Sequence, residues 1–147
     1  MKLKRIKRLV DIQERVHRAK RGLLAHENQR LRLAQEEHQQ VQTRREAHRN
    51  TLGTPREWDP EHLPGAAQMV ALADGEVESA QRVVHAHEDL VRAAAEEVRA
   101  AGYELRRYEL LAERARELFK RTRNRRDQAS TDEVAGQRWW RNDGQGD

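Results

Sequence analysis

The chain has 147 residues, a net charge of +4 and no cysteine, and 37% of its residues are charged whereas only 4% are aromatic. This composition lacks the apolar bulk of a globular core, and it excludes disulfide and thiolate chemistry. It is typical of long helices and coiled coils, with disorder as the alternative, so the periodicity of the apolar residues decides between the two.

The first predicted element is a helix over residues 3–50, a region that contains no proline. Apolar and small residues recur there in steps of three and four, which predicts a single buried stripe along the helix. A one-residue phase slip near Glu27 divides the stripe, and such a slip alters the supercoil locally without ending the helix. The predicted stripe consists of Leu9, Ile12, Val16, Ala19 and Leu23 before the slip and of Leu31, Ala34, His38 and Val41 after it.

Residues 51–65, TLGTPREWDPEHLPG, form the predicted connection and contain all three prolines of the chain, together with Trp58. Proline fixes φ and lacks a backbone N–H donor, so the first helix is expected to stop here. Both Pro60, which follows Asp59, and Pro64 are typical of helix starts, and we place the start of the second helix at residue 66.

The second helix, predicted over residues 66–128, carries the clearest pattern in the sequence. Its apolar and small residues step by three and four without a break, and so long a 3.5-residue repeat predicts a left-handed coiled coil rather than disorder. The predicted seam consists of Val77, Ala80, Val84, His87, Val91, Ala94, Val98, Ala101, Leu105, Tyr108, Ala112, Ala115, Phe119 and Thr122. Residues 129–147 contain glycines and no apolar period, so a mobile tail is expected there.

These elements predict an all-α fold in a single domain, residues 1–147. Two long helices joined by one connection are expected to fold back on each other as an antiparallel two-helix coiled-coil hairpin. Residues near 113 would then pair with residues near 3, and the last turns of the second helix would project beyond its partner. A hairpin completes its seam within one chain, so the free protein is expected to be a monomer.

No arrangement of side chains predicts catalysis, metal binding or a cofactor. His85 and His87 are two residues apart and point to different faces of a helix, whereas a shared ion favours a spacing of three or four. The sequence has no phosphate-binding or dinucleotide-binding fingerprint, and serine occurs only at Ser79 and Ser130. A two-helix hairpin also offers no concave pocket for a small-molecule substrate. The chain is therefore predicted not to be an enzyme.

The sequence also predicts a cytoplasmic location. No apolar run approaches the ~20 residues that cross a bilayer. The basic N-terminal stretch MKLKRIKRLVDIQERV lacks the uninterrupted apolar segment and the small-residue cleavage site of a secretory signal.

Cationic residues are concentrated near both ends of the chain, and the hairpin would bring them to one tip. Such a tip could grip the phosphates of a nucleic acid, plug an acidic opening in another protein, or be an ordinary solvated helix surface. Charge alone leaves these three interpretations open. The residues are Lys2, Lys4, Arg5, Lys7 and Arg8 at the start, and Arg114, Arg116, Lys120, Arg121, Arg123, Arg125 and Arg126 towards the end.

The stretch NRRDQASTDEVA, residues 124–135, resembles the C-terminal signature of the FliJ family, in which Asn-Arg-x-Asp-Gln is followed by Asp-Glu-x-Ala. The overall length, the two long helices and the break that contains Trp58 agree with this family. Val134 departs from it, because the family prefers an aromatic residue there. The matching residues are Asn124, Arg125, Asp127, Gln128, Asp132, Glu133 and Ala135.

The resemblance implies a flagellar type III protein-export component that serves motility and chemotaxis. Members of the family are similar to the central stalk of rotary ATPases. They link the hexameric export ATPase to the cytoplasmic domain of the export gate, promote the activity or assembly of the ATPase, and escort export chaperones. The implied location is cytoplasmic and peripheral, at the inner face of the cell membrane at the flagellar base, and nucleic acid is not an expected partner.

Three alternatives remain beside the flagellar stalk. They are the equivalent stalk of a virulence injectisome, a basic coiled-coil protein that binds nucleic acid, and a generic coiled-coil scaffold, which predicts a parallel homodimer.

The resemblance also implies two sets of contact residues. The set for the ATPase ring comprises Lys2, Lys4, Arg5, Lys7, Arg8, Arg121, Arg123, Arg125, Arg126, Asp127, Gln128, Asp132 and Glu133. The set for the export gate, obtained by counting back from the Asp-Glu-x-Ala signature without gaps, comprises Met69, Ala73, Glu76 and Ala80. Glu76 departs from the largely apolar stripe of the family, and ordinary helix packing is the alternative interpretation of Met69 and Ala73.

Overall fold

The computed structural model describes residues 2–53, 60–61 and 63–144. Two helices occupy this part of the chain, α1 (Lys2–Leu52) and α2 (Leu63–Asp143). They pack against each other as a helical hairpin, which confirms the predicted fold class. Residues 54–59 and 62 of the predicted connection, among them Trp58, lie outside the described residues.

The residues group into two compact units, each made from a segment of α1 and a segment of α2. Unit 1 comprises Met1–Val16 and Gly102–Asp147, and unit 2 comprises His17–Ala101. The assignment of the whole chain to one domain stays a prediction.

The bounds of α1 agree closely with the predicted helix. The segment is rich in residues that cost little in a helix, and Gly22 is its only glycine. Thr51 Oγ1 donates a hydrogen bond to the carbonyl oxygen of Ala47 at 2.8 Å, so its hydroxyl does not compete with the helix. After the last residue, Leu52, the N–H of Gly53 bonds the carbonyl oxygen of Asn50 at 3.3 Å and closes the final turn.

Both ends of α2 differ from the predicted bounds. The helix begins at Leu63 instead of residue 66, because Pro64 lies in its first turn, where a backbone N–H has no partner within the helix. It ends at Asp143 instead of residue 128, and the N–H of Gly144 bonds the carbonyl oxygen of Trp140 at 3.0 Å. The described part of the predicted tail, up to Asp143, is therefore helical.

Ion pairs within unit 2 establish that its two segments are antiparallel. Lys20 Nζ lies 2.9 Å from Glu97 Oε2, and Arg49 Nη2 lies 3.0 Å from Asp74 Oδ1. The residue numbers rise along α1 while they fall along α2. Exposed ion pairs contribute at most about 1 kcal/mol each, so they report the register more than they stabilise it.

The seam predicted for α2 is confirmed over most of its length. Every predicted seam residue from Val77 to Ala115 is buried or half-buried. Phe119 and Thr122 continue the same spacing but are exposed. The apolar repeat therefore extends beyond the part of α2 that packs against α1.

The first half of the stripe predicted for α1 is wrong by one residue, since Leu9, Ile12 and Val16 are exposed. The less exposed residues step by three and four from Leu3 to Arg45 with no phase slip near Glu27. Three successive positions of the observed seam hold polar residues, Gln13, His17 and Lys20. An assignment based on apolar residues alone therefore chose the neighbouring stripe. The observed seam consists of Leu3, Ile6, Val10, Gln13, His17, Lys20, Leu24, Glu27, Leu31, Ala34, His38, Val41 and Arg45.

Little apolar area stabilises this packing. The buried side chains are small, and none of the large ones in the described residues is completely removed from solvent. Hydrophobic stabilisation scales with buried apolar area, so each alanine adds little. The buried residues are Ala34, Val41, Ala66, Ala73, Val77, Val84, Ala101 and Ala112.

Two adjacent valines test this assignment of the seam. Val84 is 9% exposed and Val83 is 47% exposed. Val84→Ser removes a buried isopropyl group and leaves a hydroxyl in the seam, so we expect it to lower the free energy of unfolding by about 1–3 kcal/mol. Val83→Ser makes the same chemical change outside the seam and should cost less than about 0.5 kcal/mol. Thermal unfolding followed by circular dichroism measures both, and equal destabilisation would contradict the assignment.

His85 and His87 provide a second test of the seam, in which replacing a seam residue is expected to stabilise the protein. Among the described residues, Nδ1 of His87 is buried without a hydrogen-bond partner, whereas Nδ1 of exposed His85 lies 3.1 Å from Glu88 Oε2. An unsatisfied buried group costs about 1–3 kcal/mol. We expect His87→Leu to raise the unfolding midpoint and His85→Leu to leave it unchanged or lower it. A lower midpoint for His87→Leu would show that the imidazole contributes a favourable contact.

Candidate functional site

The basic end of unit 1 is the candidate functional site. Here the start of α1 packs beside α2, and Lys7 and Val10 line the same groove as Ala112 and Arg116. Ala115 is the last half-buried residue of α2. Every later described side chain is exposed, so α2 continues past the packed region as a single helix. We call residues 117–143 the overhang.

All thirteen residues predicted to contact an ATPase ring are exposed and lie in unit 1. The five from α1 lie in its first turns, and the eight from α2 lie in the overhang. The helical hairpin therefore brings the two basic regions into one unit, as the sequence predicts. Their contact with a ring stays a prediction.

Most cations of this set have no ion-pair partner in the described part of the chain. The exception is Arg123, whose Nε lies 4.0 Å from Oδ2 of Asp127 one turn later. No acidic side chain is within ion-pair distance of Arg121, Arg125 or Arg126 among these residues. Their charges are thus exposed and available to an external carboxylate or phosphate.

Within the overhang, residues 120–133 carry their charges in two successive bands. The cations of residues 120–126 come first, and Asp127, Asp132 and Glu133 follow. At 1.5 Å per residue, Arg121 and Glu133 are about 18 Å apart along the helix axis. The predicted ring contacts are therefore an ordered sequence of positive and negative charge rather than one basic patch.

Two adjacent tryptophans lie near the end of the overhang. Trp139 and Trp140 are both exposed, and their ring centroids are 5.8 Å apart with the planes at 86°. This edge-to-face arrangement is typical of aromatic pairs. Among the described residues, no other helix packs against this part of α2, which agrees with the exposure of both rings.

Only part of the predicted export-gate set lies on the surface of unit 2. Met69 and Glu76 are exposed, Ala80 is half-buried, and Ala73 is buried in the seam. Helix packing is thus the role of Ala73 in this unit. A contact of the other three with an export gate stays a prediction.

An open groove in unit 2 shows which apolar side chains this region offers. Glu76 and Ala80 line it together with Leu72 and Val83, both of which are exposed. Counting back from the C-terminal signature omitted these two residues. The three-and-four spacing of the seam would have indicated them. Leu72 and Val83 each directly precede a seam residue, Ala73 and Val84, and therefore lie beside the seam on the helix surface.

The described residues contain no group of three or more side chains that could hold a metal ion. Nor does any helix in the described ranges have a stretch long and apolar enough to cross a membrane.

Two exposed helices that pack along a thin seam, with a charged overhang at one end, define an α-helical coiled-coil hairpin whose surface is suited to contacts with other proteins. Comparison with protein-family models then matches residues 1–144 to FliJ, described as flagellar FliJ protein. The chain belongs to the FliJ family. It is a flagellar export-associated protein, and this family is a structural and accessory component of export, not a known enzyme. No curated protein and no solved structure matches the chain.

Proposed function

We propose that this protein is the central stalk of the flagellar type III export ATPase complex. The overhang and the first turns of α1 enter the central opening of the ATPase hexamer, and surfaces of unit 2 reach the cytoplasmic domain of the export gate. The protein promotes ATPase activity or ring assembly, takes part in chaperone cycling, and is held at the flagellar base through its partners. Arg121, Arg125 and Arg126 carry this proposal, because they are exposed and have no ion-pair partner among the described residues.

The dimensions of the overhang support insertion into a ring. A single α-helix with its side chains is about 10–12 Å wide, roughly half the width of a packed helix pair. The overhang has no second helix beside it in the described residues of unit 1. It is therefore the narrowest part of this unit, and all its faces are open to surrounding subunits.

Charge explains how such a helix is recognised. Carboxylates at the mouth of an opening attract the cations of residues 120–126, and the attraction extends over a Debye length of about 8 Å at physiological ionic strength. The acidic band at Asp132 and Glu133 requires a basic partner farther along the axis. Two bands of opposite sign specify a depth of insertion, because a shifted helix places like charges together.

The stalk promotes hydrolysis without supplying a catalytic group. A single helix inside a ring of six equivalent subunits cannot contact all of them in the same way. It binds best to subunits in one conformation and shifts their equilibrium by the difference in its affinity for the two states. The same linkage favours the assembled ring over free subunits.

Unit 2 supplies surfaces for the remaining partners. Met69, Leu72 and Val83 expose apolar side chains early in α2, next to the carboxylate of Glu76. Apolar anchors surrounded by polar groups are the usual composition of a protein-binding surface. We assign the gate contact to this region, with Leu72 and Val83 added to the predicted set.

Charge reversal of the three overhang arginines that have no ion-pair partner among the described residues tests the ring contact. The ATP hydrolysis rate of the cognate flagellar export ATPase is measured with and without the unaltered protein, and then with a variant carrying Arg121→Glu, Arg125→Glu and Arg126→Glu. We expect the unaltered protein to stimulate hydrolysis. The variant should lose at least about 90% of this stimulation, since each attractive contact with an acidic ring becomes repulsive.

The matched control reverses three exposed arginines of unit 2, Arg82, Arg92 and Arg99. Each of these pairs with an acidic residue on its own helix, so their reversal disturbs the helix at least as much as reversal in the overhang. The control variant should stimulate like the unaltered protein. Equal loss in both variants, or no stimulation by the unaltered protein when the ATPase is hexameric, would refute the ring contact.

The same arginines also suit the alternative of nucleic-acid binding. That function predicts binding to duplex DNA with an affinity that falls steeply as salt rises, together with no effect on the ATPase. A fluorescence-anisotropy titration of labelled DNA at two salt concentrations measures it. We expect no binding at physiological ionic strength.

A further inference from the structure

One flank of unit 1 exposes apolar side chains that the hairpin seam does not use. The seam residues Val10 and Ala112 line a groove on the other flank of unit 1. The residues that follow each of them by one and by four positions line the same groove. The residues that precede these two seam positions therefore lie on the opposite flank. They are Leu9 on α1 and Leu111 on α2, and both are exposed.

These leucines belong to a longer apolar strip. On α1, Leu9 is followed by Ile12 and Val16 at helical spacing, and Ile12 is 51% exposed. On α2, Leu111 is followed two turns later by exposed Leu118. The five residues, which we call the apolar strip, all lie in unit 1. Apolar residues at positions i, i+3 and i+7 form the stripe along which two helices pack side by side.

Arginines border this strip, whereas most acidic residues of the packed part of unit 1 lie on the opposite flank. Arg15 follows Ile12 by one turn, and Arg107 and Arg114 lie one turn before and after Leu111. Arg107 has Glu104 within 3.7 Å, and Arg114 has no ion pair in the described residues. The opposite groove is lined by four acidic residues, Asp11, Glu14, Glu109 and Glu113, and by two basic ones, Lys7 and Arg116.

We propose that the apolar strip binds one amphipathic helix of another protein, whose apolar face is flanked by acidic residues. The strip supplies the apolar contact, and the arginines select the charge of the partner. A second copy of this chain fits poorly, because its own strip carries the same basic border and the two borders repel. The strip contains none of the thirteen residues of the predicted ring contact, and of its five residues only Leu118 lies in the overhang.

A synthetic helical peptide of about three heptads tests this. One peptide has leucine at positions a and d and glutamate at the flanking positions, and a second has lysine in place of every glutamate. Fluorescence anisotropy measures the binding of each to the full-length protein. We expect the glutamate peptide to bind and the lysine peptide to bind at least about tenfold more weakly. Equal affinity of the two peptides, or no binding of the glutamate peptide, would overturn the proposal.

Substitutions locate the binding on the strip. The test variant combines Ile12→Ser with Leu111→Ser. The control combines Leu33→Ser with Leu90→Ser, which occupy the same heptad positions on the two helices of unit 2 and are also exposed. The test variant should weaken binding at least about tenfold and the control less than about twofold. Equal weakening by both would overturn the proposal.

Sedimentation of the unaltered protein tests whether a second copy of this chain, rather than another protein, occupies the strip. We expect a monomer at the concentrations used for the peptide titration. A dimer that dissociates in the variant with Ile12→Ser and Leu111→Ser would assign the strip to a second copy of this chain and overturn the proposal of a separate partner.

Discussion

The thin seam between α1 and α2 is the constraint on which the rest of this protein depends. Small side chains such as Ala34, Ala73 and Ala112 let the helices approach closely, but they remove little apolar area from water. Each helix uses only one narrow stripe for this contact. The other faces are left exposed, and exposed helix faces are what a protein with several partners requires. The small buried apolar area of the hairpin and its large exposed surface therefore have the same physical origin.

The sequence predicted the seam of α2 much better than that of α1, and the difference is chemical. Apolar and small side chains occupy nearly all seam positions of α2. In α1, Gln13, His17 and Lys20 occupy the seam while Ile12 and Val16 are exposed. A half-buried position accepts a long polar side chain, because its stem packs against the partner helix while its polar end reaches water. Apolarity alone therefore chose the wrong stripe, whereas the spacing itself was right.

The candidate site was predictable in its placement but not in its full extent. Unequal helix lengths indicated that the end of α2 would project and that the basic residues would be exposed. The continuation to Asp143 was missed, because the glycines and the lack of an apolar period in residues 129–147 predicted a mobile tail. The apolar repeat ends after Thr122 because no other helix packs against this part of α2 in the described residues. A helix of good formers such as Ala129 and Ala135 continues without a packing partner.

The edge-to-face pair of Trp139 and Trp140 gives the overhang its own optical reporter. These are two of the three tryptophans in the chain, so most of the indole absorption arises at one end of α2. Both rings are exposed in the free protein. Enclosure by other subunits would exclude water from them and shift their emission to shorter wavelength. The approach of this helix end to any partner can thus be followed in the unlabelled protein.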